Sequence, residues 1–182
     1  MSDLVARTGR HQQRYQDGFR LVAGCIPFKY DEYCGVKSKE VKVLMISSPS
    51  GPGLLFPKGG WENDETKEEA ALREAMEEAG VRGELKEFLG YYEFKSKTHV
   101  DEFSPEGRCK AAMFALLVED VLSSWPEQDT RHQRQWVTIT EAAEQLQSRH
   151  AWMKEALDVF SNVFPKWHAG KDGNDDDDAE LP

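Results

Sequence analysis

The chain has 182 residues, a formal net charge of −10 at pH 7 and 39% hydrophobic residues. This length suits one domain with a substantial core. No run of about 18 apolar residues occurs, so a membrane-spanning helix is not expected, and no apolar secretory segment is visible near the start.

The first half of the chain contains three short segments with the apolar and β-branched content of strands. Residues 1–17 are expected to form an N-terminal arm ahead of a domain that spans residues 18–165. Strands are predicted at residues 19–28, 41–47 and 54–56, and a polar loop at residues 31–40.

A turn and a helix follow these strands. The Pro-Lys-Gly-Gly stretch of residues 57–60 predicts the turn. Thr66 and Glu69 form a capping-box pattern at the start of a helix predicted over residues 67–79, and Gly80 is the expected left-handed C-cap. The apolar face of this helix is predicted to consist of Leu72, Ala75, Met76 and Ala79.

Glu74, Glu77 and Glu78, here called the glutamate triad, are predicted to present acid on a neighbouring face of this helix. Glutamates on a helix are usually a solvated surface. These three, however, belong to the longer pattern G-x5-E-x7-R-E-x-x-E-E-x-G-V, which runs from Gly59 to Val81 and has a very low chance frequency. Clustered carboxylates repel one another unless a cation lies among them, and Mg²⁺ prefers oxygen ligands. The pattern therefore predicts a divalent-metal site for phosphate chemistry.

The remainder of the chain is predicted to hold three strands and two helices before an acidic tail. The strands are at residues 88–94, 110–118 and 135–139. Thr140 is expected to cap a helix to about residue 147, and an amphipathic helix follows at residues 152–164. Residues 166–182 have the composition of a disordered tail, because residues 171–182 hold six acids against one lysine. The order of elements favours an α/β fold.

Cysteine content and N-terminal charge bear on the compartment. Cys25, Cys34 and Cys109 lack metal-ligand spacing, and this sparse, odd number suits a reducing compartment. Cys25 and Cys109 are expected to be buried. We therefore expect a cytoplasmic protein, with mitochondrial and nuclear alternatives, because arginines near the N-terminus resemble a transit peptide only weakly.

The stretch from Gly59 to Val81 is identified as a Nudix box, the signature of the Nudix hydrolases. Residues 47–49, 56–62 and 125–128 also resemble plant Nudix hydrolases of the diphosphoinositol polyphosphate and diadenosine polyphosphate phosphohydrolase branch. The resemblance implies an α/β/α sandwich around a mixed β-sheet. It also implies Mg²⁺-dependent hydrolysis of a phosphoric anhydride bond, with Mn²⁺ as a possible substitute.

The resemblance further implies roles for the box residues. Glu74 and Glu78 are the implied metal ligands, with the backbone carbonyl of Lys58 as a further ligand. Glu77 is the implied general base or an additional ligand. The residues expected to be structural are Gly59, Glu65, Arg73 and Gly80, and Arg73 is expected to hold the junction of loop and helix.

Substrate phosphates are expected to be held by basic and hydroxyl side chains outside the triad. The resemblance implies Arg20, Ser48, Ser50, Lys58, Gly59, Arg108 and Lys110. Other basic candidates are Arg14, Lys95, Lys97, Arg131 and Arg134. Residues 96–107 read as a long loop whose acids would oppose a densely phosphorylated ligand, unlike the shorter, more basic segment of the family's mammalian members.

These observations predict a small-molecule polyphosphate as substrate, with diphosphoinositol polyphosphates preferred, and neither a membrane nor a stable nucleic-acid partner. A diadenosine polyphosphate is the first alternative, and its bases would need an aromatic platform such as Trp61, Tyr91, Tyr92 or Phe94. Decapping of RNA ranks lower, because no basic aromatic groove is evident. A non-catalytic ligand-binding scaffold is the alternative from another class. The oligomeric state is left open.

Overall fold

The structure, a computed structural model, describes residues 12–33, 36–49, 52–96, 100–131, 133–146 and 150–176. The strands are β1 (Tyr15–Gln16), β2 (Phe19–Tyr33), β3 (Val36–Ser47), β4 (Leu54–Leu55), β5 (Lys58–Gly60), β6 (Val81–Lys95), β7 (Arg108–Val121) and β8 (Arg134–Thr138). The helices are α1 (Lys67–Glu74), which continues as a π-helical turn (Ala75–Ala79), α2 (Ile139–Leu146) and α3 (Ala151–Asp176).

One mixed sheet organises the described part of the chain. Its main path has the order β4-β3-β2-β7-β6, while β1 and β5 also pair with β2 and β8 pairs with β3. The pairing of β2 with β7 is parallel, with Leu21 opposite Lys110 and Phe28 opposite Leu117. The other strand pairs are antiparallel. A mixed sheet with packed helices confirms the predicted α/β class.

The core lies between this sheet and the helices. Helix α1 packs on β2 and β7, α2 lies against β3, β4 and β8, and α3 contacts β6 and α2. Phe28 packs edge-on against Phe160 of α3, with ring centroids 5.2 Å apart. Cys25 and Cys109 are fully buried, as predicted, whereas Cys34 lies outside the described residues.

Strand pairing extends several elements beyond their predicted limits. The polar loop predicted at residues 31–40 is wrong, since β2 reaches Tyr33 and β3 begins at Val36. Similarly, β6 begins at Val81, well before the predicted residue 88. These polar segments adopt strand conformation because each has an antiparallel neighbour that accepts its backbone hydrogen bonds, and such context overrides weak β-propensity.

The start of α2 also differs from the prediction. The cap is Thr138 rather than Thr140: its Oγ1 accepts the Glu141 N–H at 3.1 Å, and the Thr138 N–H donates to Glu141 Oε1 at 2.9 Å. This reciprocal capping box satisfies two backbone donors at once. Thr140, two residues later, therefore lies inside the helix.

The last helix, α3, is longer than its predicted span of residues 152–164 and enters the segment predicted to be an acidic tail. Residues 1–11 and 177–182 lie outside the described residues. The division into an arm (1–17), a domain (18–165) and a tail (166–182) stays a prediction. Within the described residues, no helix is long and apolar enough to cross a membrane.

Candidate active site

The helix that carries the glutamate triad changes its hydrogen-bond pattern midway. It begins with the predicted capping box, in which Thr66 and Glu69 satisfy each other's backbone N–H groups. After Glu74 it widens into the π-helical turn and ends at Gly80, whose φ is +65°. The predicted helix bounds, residues 67–79, and the left-handed C-cap at Gly80 are confirmed, whereas the change to a π-turn was not predicted. Single π-turns inside α-helices are frequent at functional sites.

The π-turn is held by the loop between β7 and β8. The Glu77 carbonyl accepts the Glu127 N–H at 3.0 Å, and the Glu78 carbonyl accepts Trp125 Nε1–H at 3.1 Å. These carbonyl groups thus have partners outside the helix. The contacts come from residues far along the chain, so no local pattern in the helix could have predicted the widening.

The glutamate triad is buried instead of lying on an open face. The exposed fractions of Glu74, Glu77 and Glu78 are 7%, 3% and 6%, whereas Leu72, predicted to belong to the packed face, is 37% exposed. The predicted packed face is wrong for Leu72 but confirmed for Ala75, Met76 and Ala79, which are buried. Burying carboxylates is costly unless they are paired or bind a cation, so their partners decide the chemistry of the site.

Arg73 joins the helix to the loop before it. Its Nη2 donates to the Gly60 carbonyl at 2.8 Å and to Glu65 Oε1 at 2.9 Å, while its Nε bonds the other oxygen of Glu65. Its Nη1 contacts Glu74 Oε2 at 3.0 Å and Glu77 Oε1 at 3.3 Å. Burial would lower the pKa of Arg73, but the hydrogen bond with Glu65 and the surrounding carboxylates raise it. One guanidinium therefore contacts two members of the triad as well as Glu65.

Glu78 has separate partners. Its Oε1 accepts the Lys58 N–H at 3.1 Å, and its Oε2 lies 3.1 Å from Arg131 Nη2. Burial still raises the pKa of Glu78 to about 7, against the lowering effect of Arg131 and Lys58. Burial and the charge of Glu78 likewise raise the pKa of Glu74 well above its ordinary value, although Arg73 opposes the shift. The negative charge of the carboxylates therefore exceeds the positive charge of the arginines at this site, and a divalent cation would neutralise the excess.

Another acidic group lies nearby. Among the described residues, Glu62, Asp64 and Glu65 have carboxylate oxygens within 4.8 Å of one another. Both oxygens of Glu65 are already bonded to Arg73, and its Oε1 also accepts the Glu62 N–H at 3.1 Å. Both oxygens of Glu65 are therefore used in hydrogen bonds that stabilise the loop, and we assign Glu65 a structural role.

Two predicted substrate residues, Arg108 and Lys110, lie near one another at the start of β7, and a third, Arg20, lies on the neighbouring strand β2. The Arg108 guanidinium and the Lys110 ammonium stack over the ring of Phe19, at 4.4 and 4.9 Å from its centroid. Arg20, which follows Phe19, is 8% exposed, and its Nε has no hydrogen-bond partner among the described residues. We call Arg108 and Lys110 the basic cluster. Arg20, on the neighbouring strand β2, lies elsewhere: its Nη2 is 3.4 Å from the position that a Cβ at Gly60 would take.

The remaining predicted substrate residues are spread out. The Lys58 ammonium lies 5.7 Å from the centre of the Phe94 ring, and Gly59 lies directly against the Glu74 carboxylate. Ser48 follows the end of β3. Ser50 and Lys97 lie outside the described residues.

The guanidinium of Arg14 is occupied by structural contacts. Its Nη2 donates to the carbonyls of Glu62, Asn63 and Glu65 at 3.1, 3.1 and 2.8 Å, and its guanidinium stacks 4.7 Å from the centre of the Trp61 ring. These bonds fasten the N-terminal arm to the loop that precedes α1. We accordingly assign Arg14 to the support of that loop.

Arg131 and Arg134 also have protein partners. Arg134 donates to the Ala79 carbonyl at 3.1 Å and stacks 3.8 Å from the centre of the Trp125 ring. Arg131 pairs with Glu78. Sequence reasoning noticed residues 125–128 only as a family resemblance, and it missed their contacts with the triad because pairing over such separations leaves no local pattern.

Comparison with known proteins places this geometry in a family. A model of the NUDIX domain matches residues 33–160. The chain belongs to the Nudix family. Its pattern of Gly59 to Val81 is thus a true Nudix box, and the chain is a Nudix hydrolase, an enzyme class that acts on small phosphate compounds and generally uses divalent cations.

Two curated relatives show the range of similarity to this Nudix hydrolase. Nudix hydrolase 16, mitochondrial, from Arabidopsis thaliana is 66% identical over 175 residues, which cover 94% of each chain. Diphosphoinositol polyphosphate phosphohydrolase 2 from Mus musculus is 30% identical over 134 residues, 72% of this chain and 65% of the mouse protein. The resemblance to plant Nudix hydrolases is confirmed.

A solved structure supports the Nudix fold. The binary complex of the C. elegans Ap4A hydrolase has a TM-score of 0.56 and 19% identity, and the match covers 80% of this chain and 98% of that one. At this identity the likeness shows the fold alone.

Proposed function

We propose that this Nudix hydrolase is a Mg²⁺-dependent pyrophosphohydrolase that cleaves a diphosphate bond in a highly phosphorylated small molecule. Diphosphoinositol polyphosphates are the proposed substrate class. The observation that carries the proposal is the burial of three glutamates on one helix turn, whose carboxylates outnumber the two arginines, Arg73 and Arg131, that contact them within the described residues.

The donor set fits a divalent ion. Glu74 and Glu78 are the proposed metal ligands, with Glu77 and the Lys58 carbonyl as further ones, and carboxylate and carbonyl oxygens are the donors that Mg²⁺ and Mn²⁺ favour. The Lys58 backbone is already at the site, because its N–H bonds Glu78 at 3.1 Å. When bound, such an ion would neutralise phosphate charge and make a water more acidic.

The protein residues supply positioning and proton transfer. Glu77 is the proposed general base, which accepts a proton from the attacking water. Arg73 orients that carboxylate through its 3.3 Å contact with Oε1. The buried setting limits competing water, so the reaction depends mainly on placement and on charge neutralisation.

The basic cluster supports the choice of a densely charged substrate. Arg108 and Lys110 share the ring of Phe19 on β7's neighbour β2. Arg20, beside Gly60, separately offers a buried Nε that has no hydrogen-bond partner among the described residues. Adjacent cations on one strand raise the local potential for polyphosphates even though the whole chain is acidic. The hydroxyl groups of Ser48 and Ser50 are proposed to donate further hydrogen bonds to the substrate phosphates.

A diadenosine polyphosphate is the second candidate. Tyr91 is 50% exposed and Phe88 39% exposed, and their rings lie 5.2 Å apart in an edge-to-face contact. An exposed aromatic pair of this kind could stack a base. The Lys67 ammonium lies 4.2 Å from the centre of the Phe88 ring and 5.1 Å from that of the Tyr91 ring, and Phe94 is stacked on Trp152 at 4.7 Å. A base would therefore displace an existing contact at either place.

Parallel kinetics test these assignments. Hydrolysis of an inositol pyrophosphate, a diadenosine polyphosphate and capped RNA is measured with Mg²⁺ and with EDTA. We expect EDTA to abolish turnover and the inositol pyrophosphate to give the highest kcat/KM. Absent hydrolysis of all three would favour the non-catalytic scaffold, and fastest hydrolysis of either other compound would identify that substrate instead.

A double variant tests the basic cluster. The protein that carries both Arg108→Ala and Lys110→Ala should show a larger increase in KM for the inositol pyrophosphate than for the diadenosine compound. Lys86→Ala is the matched control, because Lys86 is an exposed β6 lysine that pairs with the exposed Glu84 at 3.2 Å. If the double variant and Lys86→Ala change KM equally, the basic cluster does not bind substrate.

The compartment is a separate proposal. The name of the Arabidopsis relative includes "mitochondrial", which supports the mitochondrial alternative for this chain over the cytoplasmic one. Imaging a fusion with a fluorescent protein at the C-terminus, beside a mitochondrial marker, distinguishes the two.

A further inference from the structure

The loop between β7 and β8 contacts the glutamate triad through backbone and side-chain groups. Its Trp125 Nε1–H donates to the Glu78 carbonyl, and the Glu127 N–H donates to the Glu77 carbonyl. Both contacts reach the backbone of the π-turn. They hold the helix end but leave the direction of the carboxylates undetermined.

Arg131, in the same loop, contacts a carboxylate directly. Its Nη2 lies 3.1 Å from Glu78 Oε2, its Nη1 donates to the Ser47 carbonyl at 3.1 Å, and its Nε lies 3.5 Å from Glu127 Oε1. The residue is only 7% exposed. Because the planar guanidinium presents its donors in a fixed fork, these three acceptors together determine its orientation.

We infer that Arg131 is a positioning residue that holds the Glu78 carboxylate ready for the metal ion. This inference rests on the proposed role of Glu78 as a metal ligand. The Lys58 N–H bonds one oxygen of that carboxylate and Arg131 bonds the other. Each carboxylate oxygen has two lone-pair sites, so the hydrogen bonds leave room for a metal while they restrict rotation of the group.

The bond to Ser47 gives Arg131 a second anchor. Ser47 is the last residue of β3, and its N–H and Oγ also bond the backbone of Gln133 at 3.0 and 3.3 Å. Arg131 therefore links the proposed metal ligand to a strand end fixed by three hydrogen bonds. A cation that served only to balance charge would need no such anchor.

The test compares Arg131→Met and Arg131→Lys with the control Arg134→Met. Arg134 comes from the same region and bonds the backbone carbonyls of residues 79 and 80, but it forms no ion pair with a carboxylate in the part of the chain that the structure describes. Mn²⁺ binding to each protein is measured directly by electron paramagnetic resonance of the free ion. The Mg²⁺ dependence of hydrolysis and the substrate KM at saturating Mg²⁺ are measured alongside.

We expect Arg131→Met to weaken Mn²⁺ binding by about 10- to 100-fold, the usual effect of removing a partner of a metal ligand. The Mg²⁺ concentration for half-maximal rate should rise in parallel, while KM at saturating Mg²⁺ stays within about twofold of the wild-type value. Arg131→Lys should be intermediate, because one ammonium cannot engage all three acceptors. Arg134→Met should lose thermal stability yet bind Mn²⁺ like the wild type.

Wild-type Mn²⁺ affinity in Arg131→Met, or an equal loss in Arg134→Met, would overturn the inference. If Arg131→Met does not fold by circular dichroism, Arg131→Lys decides, and unchanged affinity there overturns it as well. Failure of the wild-type protein to bind Mn²⁺ would instead refute the proposed metal-dependent function, so the two failures are distinguishable.

Discussion

The Glu74 carboxylate lies directly against the backbone of Gly59. A Cβ added at residue 59 would be 2.3 Å from both Cδ and Oε1 of Glu74, a distance that no side chain tolerates. The first glycine of the box is therefore required because only a hydrogen side chain leaves room for the proposed metal ligand.

Gly59→Ala should consequently impair catalysis more than stability. The atoms in conflict belong to the end of a flexible side chain, so the carboxylate can move while the fold persists. A displacement of about 1 Å in a catalytic group can lower the rate roughly 10²-fold. Turnover at saturating Mg²⁺ and the melting temperature are the two measurements.

Gly53→Ala is the matched control for that substitution. A Cβ there meets nothing within 4 Å, although the φ of +98° is unfavourable for alanine. This variant should lose stability but retain the wild-type rate. Unimpaired turnover in Gly59→Ala would contradict the proposed position of Glu74.

Glu77→Gln tests the general base. The substitution preserves size and the hydrogen bond from Arg73, so the fold should be kept, while turnover should fall by roughly 10²–10⁴-fold. Glu68→Gln, on the exposed first turn of α1, is the control and should be as active as the wild type. A fully active Glu77→Gln protein would remove Glu77 from this role.

Arg73→Ala should destabilise the protein strongly. The change leaves the buried carboxylates of Glu65, Glu74 and Glu77 without their shared cation, and breaking a buried ion pair costs about 3–5 kcal/mol. Urea unfolding at neutral pH measures the free energy of unfolding. In the surface control, Lys86→Ala, the loss should be below about 1 kcal/mol, and similar losses in both variants would show that the network contributes little.

Stability of the metal-free protein should fall as the pH rises from about 4.5 to about 7. Burial raises the pKa of Glu78 from 4.5 to about 7, so in this window the folded state holds a proton that the unfolded state has released. Unfolding then releases protons, and the free energy of unfolding decreases with pH. Glu74, whose pKa is also raised by burial, contributes with the same sign.

Urea unfolding in EDTA at several pH values measures this dependence. Glu78→Gln should show a smaller decrease, because that variant lacks one of the titrating groups. Saturating Mg²⁺ should stabilise the wild type most at the upper end of the window, since metal binds the ionised carboxylates. A free energy of unfolding that rises with pH across this window in EDTA would contradict the proposed ionisation.

Local chemistry in the sequence determined the features that depend on neighbouring residues. The capping box at Thr66 and Glu69 and the continuous apolar runs of the central strands follow from short-range hydrogen bonds and from local composition. The spacing of glycine, arginine and glutamates between Gly59 and Val81 was enough to identify the family and the enzyme class. Each of these signals lies within about 25 residues of chain and needs no partner from elsewhere.

Only the tertiary structure decided how the acids are held. Trp125 Nε1–H reaches the Glu78 carbonyl across 47 residues, and Arg131 reaches the carboxylate of the same residue from the same loop. Those contacts bury the triad, widen the helix into a π-turn and assign Arg131 to a glutamate instead of a phosphate. Burial depends on which distant segments pack against a helix. The i, i+3, i+4 spacing of the glutamates fits a buried face and an exposed face equally well, so it cannot determine their burial.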